Sequence, residues 1–233
     1  MAIREAIILA GGKAERLGDA AGGRPKALVP VAGHPLAAYQ VGRLARAGVE
    51  RVIFACALGQ GSLFVDELSG IGPEIVAAEE PERMGRGGGI RFAAGLRETT
   101  GDAYGLNGDE LLDVDLAGLA ERHRAAGGLA TITVARPKSQ FGLVDVDDAD
   151  VVHGFEEAGR VPFWVNCGTY VLSEEAIARF PERGDHESTT FPELASEGRL
   201  MAFRHDGLWL TVNTPKELRV AEEHVAAHPE WLA

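Results

Sequence analysis

The sequence predicts an α/β fold in which a mostly parallel sheet is flanked by helices. Three observations support this prediction. Short apolar runs of strand length alternate with segments whose apolar residues recur at helical spacing. The runs are apolar at nearly every position, as expected for parallel strands that are buried on both faces. Hydrophobic residues make up 45% of the 233 residues and charged residues 25%, a balance typical of a globular chain.

The first half of the chain predicts strands that alternate with helices. The apolar runs place strands at residues 6–10, 52–57, 74–78, 103–107 and 129–135. Helical spacing places helices at residues 36–47, 62–68, 90–97 and 116–126. Such alternation is typical of units in which a helix connects two parallel strands.

Beyond Pro137 the sequence predicts antiparallel strands separated by acidic turns. These strands are expected at residues 141–146, 151–155 and 163–172, with a further hairpin of residues 201–205 and 208–212. A last helix is predicted from Pro215 to about Ala227. Because no repeat or linker divides the chain, we expect one domain with a β-rich insertion.

The net charge and the cysteine content exclude several classes of protein. With 23 basic and 35 acidic side chains, the net charge of −12 argues against a nucleic-acid-binding protein, which usually presents a basic surface. Cys56 and Cys167 are too few and too far apart for a disulfide framework or a zinc site. Neither a signal peptide nor an apolar run of about 18 residues is recognisable. We therefore expect a reduced, cytoplasmic protein without membrane or nucleic-acid partners.

A glycine-rich, locally basic segment follows the first predicted strand. Gly11 and Gly12 lie where a parallel sheet usually binds ligands, and glycines there let backbone N–H groups approach a phosphate. Within residues 11–26, four basic side chains stand against two acidic ones, which gives a local charge of +2. Arg16 can bind phosphate oxygens through two N–H groups, and Lys26 supplies a compact charge. The alternative, a glycine turn with solvated charges, is disfavoured by the length of the string.

The tripeptide Asn107-Gly108-Asp109 directly follows another predicted strand. A carboxylate at the end of a buried strand is suited to Mg²⁺, which prefers hard oxygen ligands. Taken alone, Gly-Asp is more often a turn. Combined with the glycine-rich segment, it resembles the Gly-Asp step of the sugar-1-phosphate nucleotidylyltransferases, whose Asp binds the catalytic metal ion.

Residues 9–36 resemble the signature of the sugar-1-phosphate nucleotidylyltransferases, L-A-G-G-x-G-T-R-L followed by P-K-P-L-x-P-V-x-G-x-P. Two positions depart from it, because Ala14 replaces a glycine and Glu15 replaces a threonine. The short length matches compact bacterial members of the family, such as mannose- or heptose-1-phosphate guanylyltransferases. The resemblance implies a Rossmann-like nucleotide-diphospho-sugar transferase fold with a β-rich sugar-binding insertion. The single domain 1–233 would then comprise a nucleotide-binding part, 1–136, and a sugar-binding part with the closing helix, 137–233.

The resemblance also implies roles for individual residues. Arg16, Lys26 and Asp109 would be catalytic: Arg16 holds the departing pyrophosphate, Lys26 stabilises charge at the reacting phosphates, and Asp109 binds the metal ion. The implied nucleotide-binding positions are Leu9, Ala10, Gly11, Gly12, Lys13, Glu80, Gly85 and Asn107.

The second metal ligand is implied to be Asn213 or Thr211. Residues 209–218 resemble the family's W-x-D-I-G-T-P-E-D-L ending, and Thr211 stands where the metal-binding Asp usually is. Asn213 could compensate, because some members bind the metal through an Asn in a V-N-N-x-L-x-L form. Asn213 or Thr214 could instead, or in addition, cap the last helix, since Pro215 is favoured at a first helical position.

Glu80 is the residue that bears on the choice of nucleotide. Residues 79–89 resemble the base- and ribose-binding segment E-x-x-P-L-G-T-x-G-A, with Arg86 in place of the Thr. Glu80 lies five residues before Gly85, where uridylyl and thymidylyl members often have Gln. A carboxylate only accepts hydrogen bonds, so it fits the two donors of guanine better than the single donor of uracil or thymine. This favours GTP; the alternative is a solvated acidic loop.

Gly142, Glu156 and Asn166 are the predicted sugar-phosphate-binding residues, in segments that resemble the family's Y-G-x-V, E-K and N-A-G-x-Y elements. The Lys that usually follows the Glu is absent, so Lys138, Arg160 or another cation would have to bind the sugar phosphate. Taken singly, Glu156 and Asn166 could also be ordinary polar residues at strand ends.

The implied reaction joins an NTP, with GTP favoured, to a sugar 1-phosphate and releases pyrophosphate, with Mg²⁺ as cofactor. One alternative is a molybdenum-cofactor nucleotidyltransferase, whose L-A-G-G-x-S-x-R-M-G start is close to residues 9–18. Another is a catalytically silent nucleotide-sugar-binding regulator on the same fold. The Asn-Gly-Asp step argues against the first, and the presence of Arg16, Lys26 and Asp109 argues against the second. The protein is expected to be a monomer or a homodimer.

Overall fold

The computed structural model describes residues 2–139 and 141–231. The strands are β1 (Glu5–Leu9), β2 (Pro30–Val31), β3 (His34–Pro35), β4 (Arg51–Ala57), β5 (Glu74–Glu80), β6 (Ala103–Asn107), β7 (Glu110–Leu112), β8 (Ala130–Ala135), β9 (Leu143–Val146), β10 (Val152–Glu156), β11 (Val165–Leu172), β12 (Leu200–Arg204) and β13 (Trp209–Thr211). The α-helices are α1 (Leu36–Arg46), α2 (Gly61–Leu68), α3 (Gly85–Ala94), α4 (Leu116–Ala126), α5 (Glu174–Arg179), α6 (Thr190–Ser196) and α7 (Pro215–Ala227). Short 3₁₀ helices cover Glu15–Ala21, Lys26–Leu28 and Pro229–Trp231.

A central seven-stranded sheet organises the molecule, in the order β12-β8-β11-β6-β1-β4-β5. β1 runs parallel to β4 and β6, β4 runs parallel to β5, and β8 runs parallel to β12. β11 is antiparallel to both of its neighbours, β6 and β8. The other six strands therefore all point the same way, so their carboxyl ends form one edge of the sheet. The prediction of a mostly parallel α/β fold is confirmed.

Helices cover both faces of this sheet because successive strand residues point to opposite sides. Ile8 and Phe54 lie in a buried cluster that includes residues of α1, α2 and α4. Their neighbours Ile7 and Ile53 lie in a second cluster with residues of α3, α5 and α6. The near-continuous apolar character of β1 and β4 thus reflects burial on both faces. No helix in the described part of the chain has the length and apolar character needed to cross a membrane.

The helix predicted at residues 90–97 is wrong at both ends, since α3 begins at Gly85 and ends at Ala94. Its glycine-rich first turn is held by tertiary contacts. The N–H groups of Gly87 and Gly88 donate to the carbonyl oxygen of Gly184, at 2.9 and 3.3 Å. A Cβ at Gly85 would lie 2.6 Å from that same oxygen, and the φ of Gly85 is +79°. Glycine, a poor helix former, begins this helix because the neighbouring backbone leaves no room for a side chain.

The hairpin predicted from residues 201–205 and 208–212 is also wrong. β12 pairs in parallel with β8 at the end of the central sheet, whereas β13 pairs antiparallel with β7. Tertiary pairing separates the two segments although only a short turn connects them. The antiparallel pair β9–β10 and the long strand β11 are confirmed.

Candidate active site

Two adjoining cavities open at the carboxyl edge of the sheet. The first has a volume of about 410 Å³ and lies between the glycine-rich segment and the turn after β6. The predicted residues that line it are Leu9, Ala10, Gly11, Gly12, Lys13, Lys26, Glu80, Gly85, Asn107, Asp109 and Asn213. The second has a volume of about 550 Å³ and shares Gly11, Gly12, Lys13 and Glu80 with the first. Sequence reasoning therefore located most of this region.

The turn at Gly108 places Asp109 beside the end of β1. The N–H of Gly108 donates to the carbonyl oxygen of Leu9 at 2.9 Å. A Cβ at Gly108 would approach the same oxygen to 2.5 Å, so only glycine fits this close passage of two chains. The turn brings the carboxylate of Asp109 to the same cavity as the glycine-rich segment.

Lys26, Asp109 and Asn213 meet in the first cavity. The Nζ of Lys26 donates to Oδ2 of Asp109 at 2.6 Å and also to Oδ1 of Asn213. The Lys26 side chain is only 12% exposed, and that of Asp109 is 34% exposed. The β13–β7 pairing explains how residue 213 reaches residue 109: Thr211 lies opposite Glu110, and the N–H of Val212 donates to the carbonyl oxygen of Asp109 at 2.9 Å.

Thr211, Asn213 and Thr214 have different surroundings. Thr214 caps α7, with its hydroxyl oxygen accepting from the N–H of Glu217 at 3.3 Å. The hydroxyl of Thr211 donates to Oε1 of Glu217 at 3.1 Å. The side-chain oxygen of Asn213 is thereby left to face Lys26, while its N–H donates to Glu217. Of the two candidate metal ligands, Asn213 is the one whose oxygen converges with the Asp109 carboxylate on a common cation.

The donor set of this site fits a Mg²⁺ ion. Asp109 and Asn213 supply one carboxylate and one amide oxygen, both hard ligands, and the ammonium of Lys26 lies between them. Mg²⁺ usually takes one or two protein ligands and completes its shell with water and phosphate oxygens. Within residues 2–139 and 141–231, no group of three or more His, Cys, Asp and Glu side chains is arranged to hold a metal, so an all-protein cage is absent there.

Glu80 ends β5 at the wall between the two cavities. Its Oε2 accepts the N–H of Met84 at 3.1 Å, and burial raises the pKa of its carboxyl. A Cβ at Gly89 would lie 2.6 Å from Oε1 of Glu80, so the glycine-rich start of α3 leaves space for this carboxylate. The adjacent Glu79 instead accepts the N–H of Gly61 at 2.7 Å.

Sequence reasoning missed several residues of the two cavities. Leu58, Gln60 and Arg83 line the larger one; Leu58 and Gln60 directly follow β4, a position that could have been read from the strand pattern. Glu110 lines the smaller one next to Asp109. Burial, reinforced by the charge of Asp109, raises the pKa of Glu110 to about 8. Nothing in the sequence pattern around Glu110 predicted that its side chain would be buried.

Four predicted residues lie outside both cavities. Arg16 is exposed on the 3₁₀ helix Glu15–Ala21. Gly142 is partly buried and lies against the ring of Phe155, and Glu156 is exposed at the end of β10. Asn166 is partly buried in β11. The structure therefore brings together the predicted nucleotide and metal residues but not Arg16 or the predicted sugar residues.

Asn166 belongs to a separate polar cluster that reaches back to the start of α3. Its Nδ2 donates to Oε1 of Glu187 at 2.8 Å and to the hydroxyl of Tyr170 at 2.9 Å. Arg86 pairs with the other oxygen of Glu187 at 2.6 Å and donates from Nε to Asp185 at 2.8 Å. Arg86, which stands in place of the family's Thr at the start of α3, therefore connects the first cavity to the strand that carries Asn166.

Comparison with known proteins gives a consistent result. Residues 5–228 match the family described as nucleotidyl transferase. The chain is 33% identical over 226 residues to a mannose-1-phosphate guanylyltransferase of Mycobacterium tuberculosis, covering 91% of this chain and 62% of that protein. It is 28% identical to the mannose-1-phosphate guanylyltransferase catalytic subunit beta of Xenopus tropicalis, covering 98% and 68%. The chain thus spans less than two thirds of the first relative and about two thirds of the second.

Solved structures share the fold. The crystal structure of HddC from Yersinia pseudotuberculosis superposes with a TM-score of 0.74 at 24% identity, covering 95% of this chain and 99% of that one. HddC complexed with GMP-PN superposes with a TM-score of 0.71 at 23% identity and covers the same shares.

Proposed function

This chain belongs to the nucleotidyl transferase family, and we propose that it transfers the nucleotidyl group of GTP to a sugar 1-phosphate, releasing pyrophosphate and forming a GDP-sugar. The observation that carries the proposal is the convergence of Lys26, Asp109 and Asn213 beside the glycine-rich segment. The relatives named mannose-1-phosphate guanylyltransferase support the choice of both substrates.

The reaction is a displacement at the α-phosphorus of GTP by a phosphate oxygen of the sugar 1-phosphate. That oxygen already carries negative charge, so no side chain has to remove a proton. In the described parts of the two cavities, no Cys, Ser or His side chain lines the walls. Catalysis would therefore rest on alignment of the two substrates and on stabilisation of the phosphate charge.

Lys26 is the cation best placed for that charge. Its ammonium lies within the smaller cavity and has an acidic and an amide partner to orient it. Asp109 and Asn213 would hold Mg²⁺, which when bound neutralises phosphate oxygens and orients them. Arg16 would contact the pyrophosphate from its 3₁₀ helix, whose Glu15, Gly18 and Ala21 line the larger cavity.

Glu80 supports GTP as the nucleotide. Its carboxylate is an acceptor at the wall shared by both cavities, and the N1–H and 2-amino groups of guanine present two adjacent donors. Mannose 1-phosphate is proposed as the first acceptor to test, because it is named in the curated relatives. We place the nucleotide on residues 1–136 and the sugar mainly on residues 137–233 of a single cytoplasmic domain.

A substrate grid tests this proposal. Five nucleoside triphosphates would be combined with mannose, glucose, heptose and N-acetylglucosamine 1-phosphates in the presence of Mg²⁺, and pyrophosphate release would be measured. We expect release with GTP that depends on the acceptor. Binding of GTP without any release would instead favour the silent regulator, and transfer to a molybdenum-cofactor precursor would favour that alternative enzyme.

A further inference from the structure

Two arginines contact the ring of one tryptophan at the far end of the same sheet edge. The guanidinium carbon of Arg136 lies 5.0 Å from the ring centroid of Trp164, and that of Arg204 lies 5.1 Å from it. Arg136 directly follows β8, Arg204 ends β12 and Trp164 immediately precedes β11. All three belong to the carboxyl edge that carries the cavities, beyond β6 and β11. We call them the Arg–Trp–Arg platform.

The platform is a positive site in a strongly acidic protein. The side chain of Arg160 donates to the backbone oxygen of Arg136 at 2.9 Å, and the backbones of Lys138 and Arg160 pair in an isolated antiparallel β-bridge. Two further cationic residues therefore adjoin the platform. Across residues 2–139 and 141–231, no carboxylate oxygen lies within 4.0 Å of the side-chain nitrogens of these four cations. The nearby Glu156 packs on the backbone of Gly159 instead.

The stacking leaves the arginines able to bind an anion. A guanidinium that lies on an aromatic ring uses its face, while its N–H donors point outward in the plane. Arg136, Trp164 and Arg204 are all exposed, so these donors are open to a ligand. Arg204 pairs with Val134, which lies two residues before Arg136, so both arginines are on the same face of the sheet. Two forked donors on one face suit a carboxylate or a phosphate.

Strand register places the platform on the acceptor side of the site. Arg204, Val134 and Asn166 lie in one row across β12, β8 and β11. Trp164 is two residues from Asn166, so both point to the same face of the sheet. The platform therefore continues the row that begins at Asn166, the predicted sugar residue.

The order of the strands separates the platform from the residues at which the sugar's 1-phosphate must react. Gly168 lies against Asn107 and Glu110, beside Asp109. Trp164 precedes Gly168 by four residues, a span of at most roughly 13 Å of extended chain. In the sheet order, β8 lies two strands and β12 three strands beyond β6, so at about 4.8 Å per strand the two arginines start roughly 10 and 14 Å from the strand that leads to Asp109. Because the 1-phosphate must lie near Lys26 and Asp109 to react, a group on the platform would belong to the opposite end of the sugar.

We propose that the Arg–Trp–Arg platform binds a second negative group of the acceptor, and that the preferred substrates are sugar 1-phosphates with a carboxylate or a phosphate at the end remote from C1. The inference rests on the proposed transfer reaction and deepens it by naming the acceptor class. The remote group takes no part in bond making or breaking; it adds binding energy and orients the sugar.

Steady-state kinetics with three acceptors test the inference. Mannose 1-phosphate, mannuronic acid 1-phosphate and mannose 1,6-bisphosphate would be compared by pyrophosphate release with GTP. We expect kcat/KM to be about tenfold or more higher for at least one anionic acceptor, with the advantage reduced by salt. A preference for the uronate or for the bisphosphate identifies the remote group as a carboxylate or a phosphate.

Substitutions at the platform separate charge from structure. The double variant R136Q/R204Q should raise KM for the anionic acceptor about tenfold, leave kcat nearly unchanged and leave mannose 1-phosphate unaffected. R136K/R204K keeps the charges and should retain most of the preference, and R219Q, on the exposed face of α7, is the matched control. Equal kcat/KM for all three acceptors in the wild type would overturn the inference but not the proposed function. The same holds if R136Q/R204Q lowers kcat/KM equally for mannose 1-phosphate and for the anionic acceptors. Absence of pyrophosphate with every acceptor would overturn the proposed function and the inference with it.

Discussion

The two ends of the carboxyl edge differ in how they are built. At one end, formed by β1, β4, β5 and β6 and called the nucleotide end here, the residues proposed to bind the nucleotide lie at strand ends or in the segments that follow them. These residues line two adjoining cavities. At the acceptor end, formed by β11, β8, β12 and the β9–β10 ribbon, Gly142, Glu156 and Asn166 lie on separate elements outside those cavities.

The two ends are stabilised by different kinds of contact. Close backbone passages, such as Gly108 against Leu9, hold the nucleotide end together over a short part of the sheet. The acceptor end relies on side-chain contacts between distant segments, such as Arg86 with Glu187 and Arg136 with Trp164. Substitutions at the first should therefore act on chemistry and base choice, and substitutions at the second on acceptor binding and local stability.

The largest effect is expected at the centre of the nucleotide end. Lys26→Ala and Asp109→Ala should each lower kcat by two to three decades, about 3–4 kcal/mol, because each removes charge stabilisation at the phosphates. Pyrophosphate release measures the loss, and circular dichroism checks that the fold is kept. Lys216→Ala, at an exposed lysine on α7, serves as the control. Rates near those of the unsubstituted protein for either variant would contradict the assignment of the site.

A pH effect on stability is expected at the acceptor end. His186 is fully buried, stacked on Phe180 and edge-on to Tyr170 and Phe191. Burial lowers the pKa of His186 to about 4, although Asp185 opposes the shift; Arg86 adds to it.

In the unfolded chain His186 binds a proton near its ordinary pKa of 6.5, whereas the folded chain does so only near 4. The free energy of unfolding should therefore fall as the pH drops from 6.5 to 4, by about 3 kcal/mol from this residue. Denaturant titrations should show that the free energy of unfolding falls less with pH in His186→Phe than in the wild type. His34→Phe, a substitution at an exposed histidine, should show the same fall as the wild type. Identical slopes in all three proteins would refute the assignment.

A smaller effect is expected on nucleotide choice. Glu80→Gln should lower the ratio of kcat/KM for GTP to that for UTP by about tenfold, because an amide no longer offers two acceptors to guanine. Glu79→Gln is the matched control, since Glu79 accepts the N–H of Gly61 rather than facing the base. An unchanged ratio in Glu80→Gln would show that another group reads the base.

The smallest effect separates capping from metal binding. Thr214→Ala should lower the free energy of unfolding by about 1 kcal/mol and leave kcat nearly unchanged, because Thr214 rather than Asn213 caps α7. Thermal unfolding and pyrophosphate release measure the two quantities. A large loss of activity with normal stability would contradict this division of roles.

The sequence predicts best those parts of the molecule in which neighbouring residues determine the structure, such as the ends of apolar strands. Gly11 lies two residues after β1, Leu58 directly follows β4 and Asn107 ends β6. These strand ends could be recognised from the sequence as ligand-bearing, although Leu58 was not. The start of α3 was missed because its glycines are accommodated by contact with Gly184, a residue almost a hundred positions away.

Long-range pairings account for the remaining errors. Asn213 could not be distinguished from Thr211 before the β13–β7 pairing was known, because that pairing alone sets which side chain reaches Asp109. The link from Arg86 to Glu187 and the platform at Trp164 join segments that share no sequence pattern. Such contacts depend on the packing of α3, β8, β11 and β12. Hydrophobic periodicity in the sequence does not predict them.

The most direct test of the account follows both substrates at once by ³¹P nuclear magnetic resonance. GTP and mannose 1-phosphate would be incubated with the protein and Mg²⁺, with the bisphosphate and uronate acceptors run in parallel. We expect the sugar 1-phosphate resonance to disappear at the rate at which the two diphosphate resonances of the GDP-sugar appear. An equal amount of free pyrophosphate should form. Acceptor resonances that stay unchanged while GTP decays to GDP and inorganic phosphate would contradict the account.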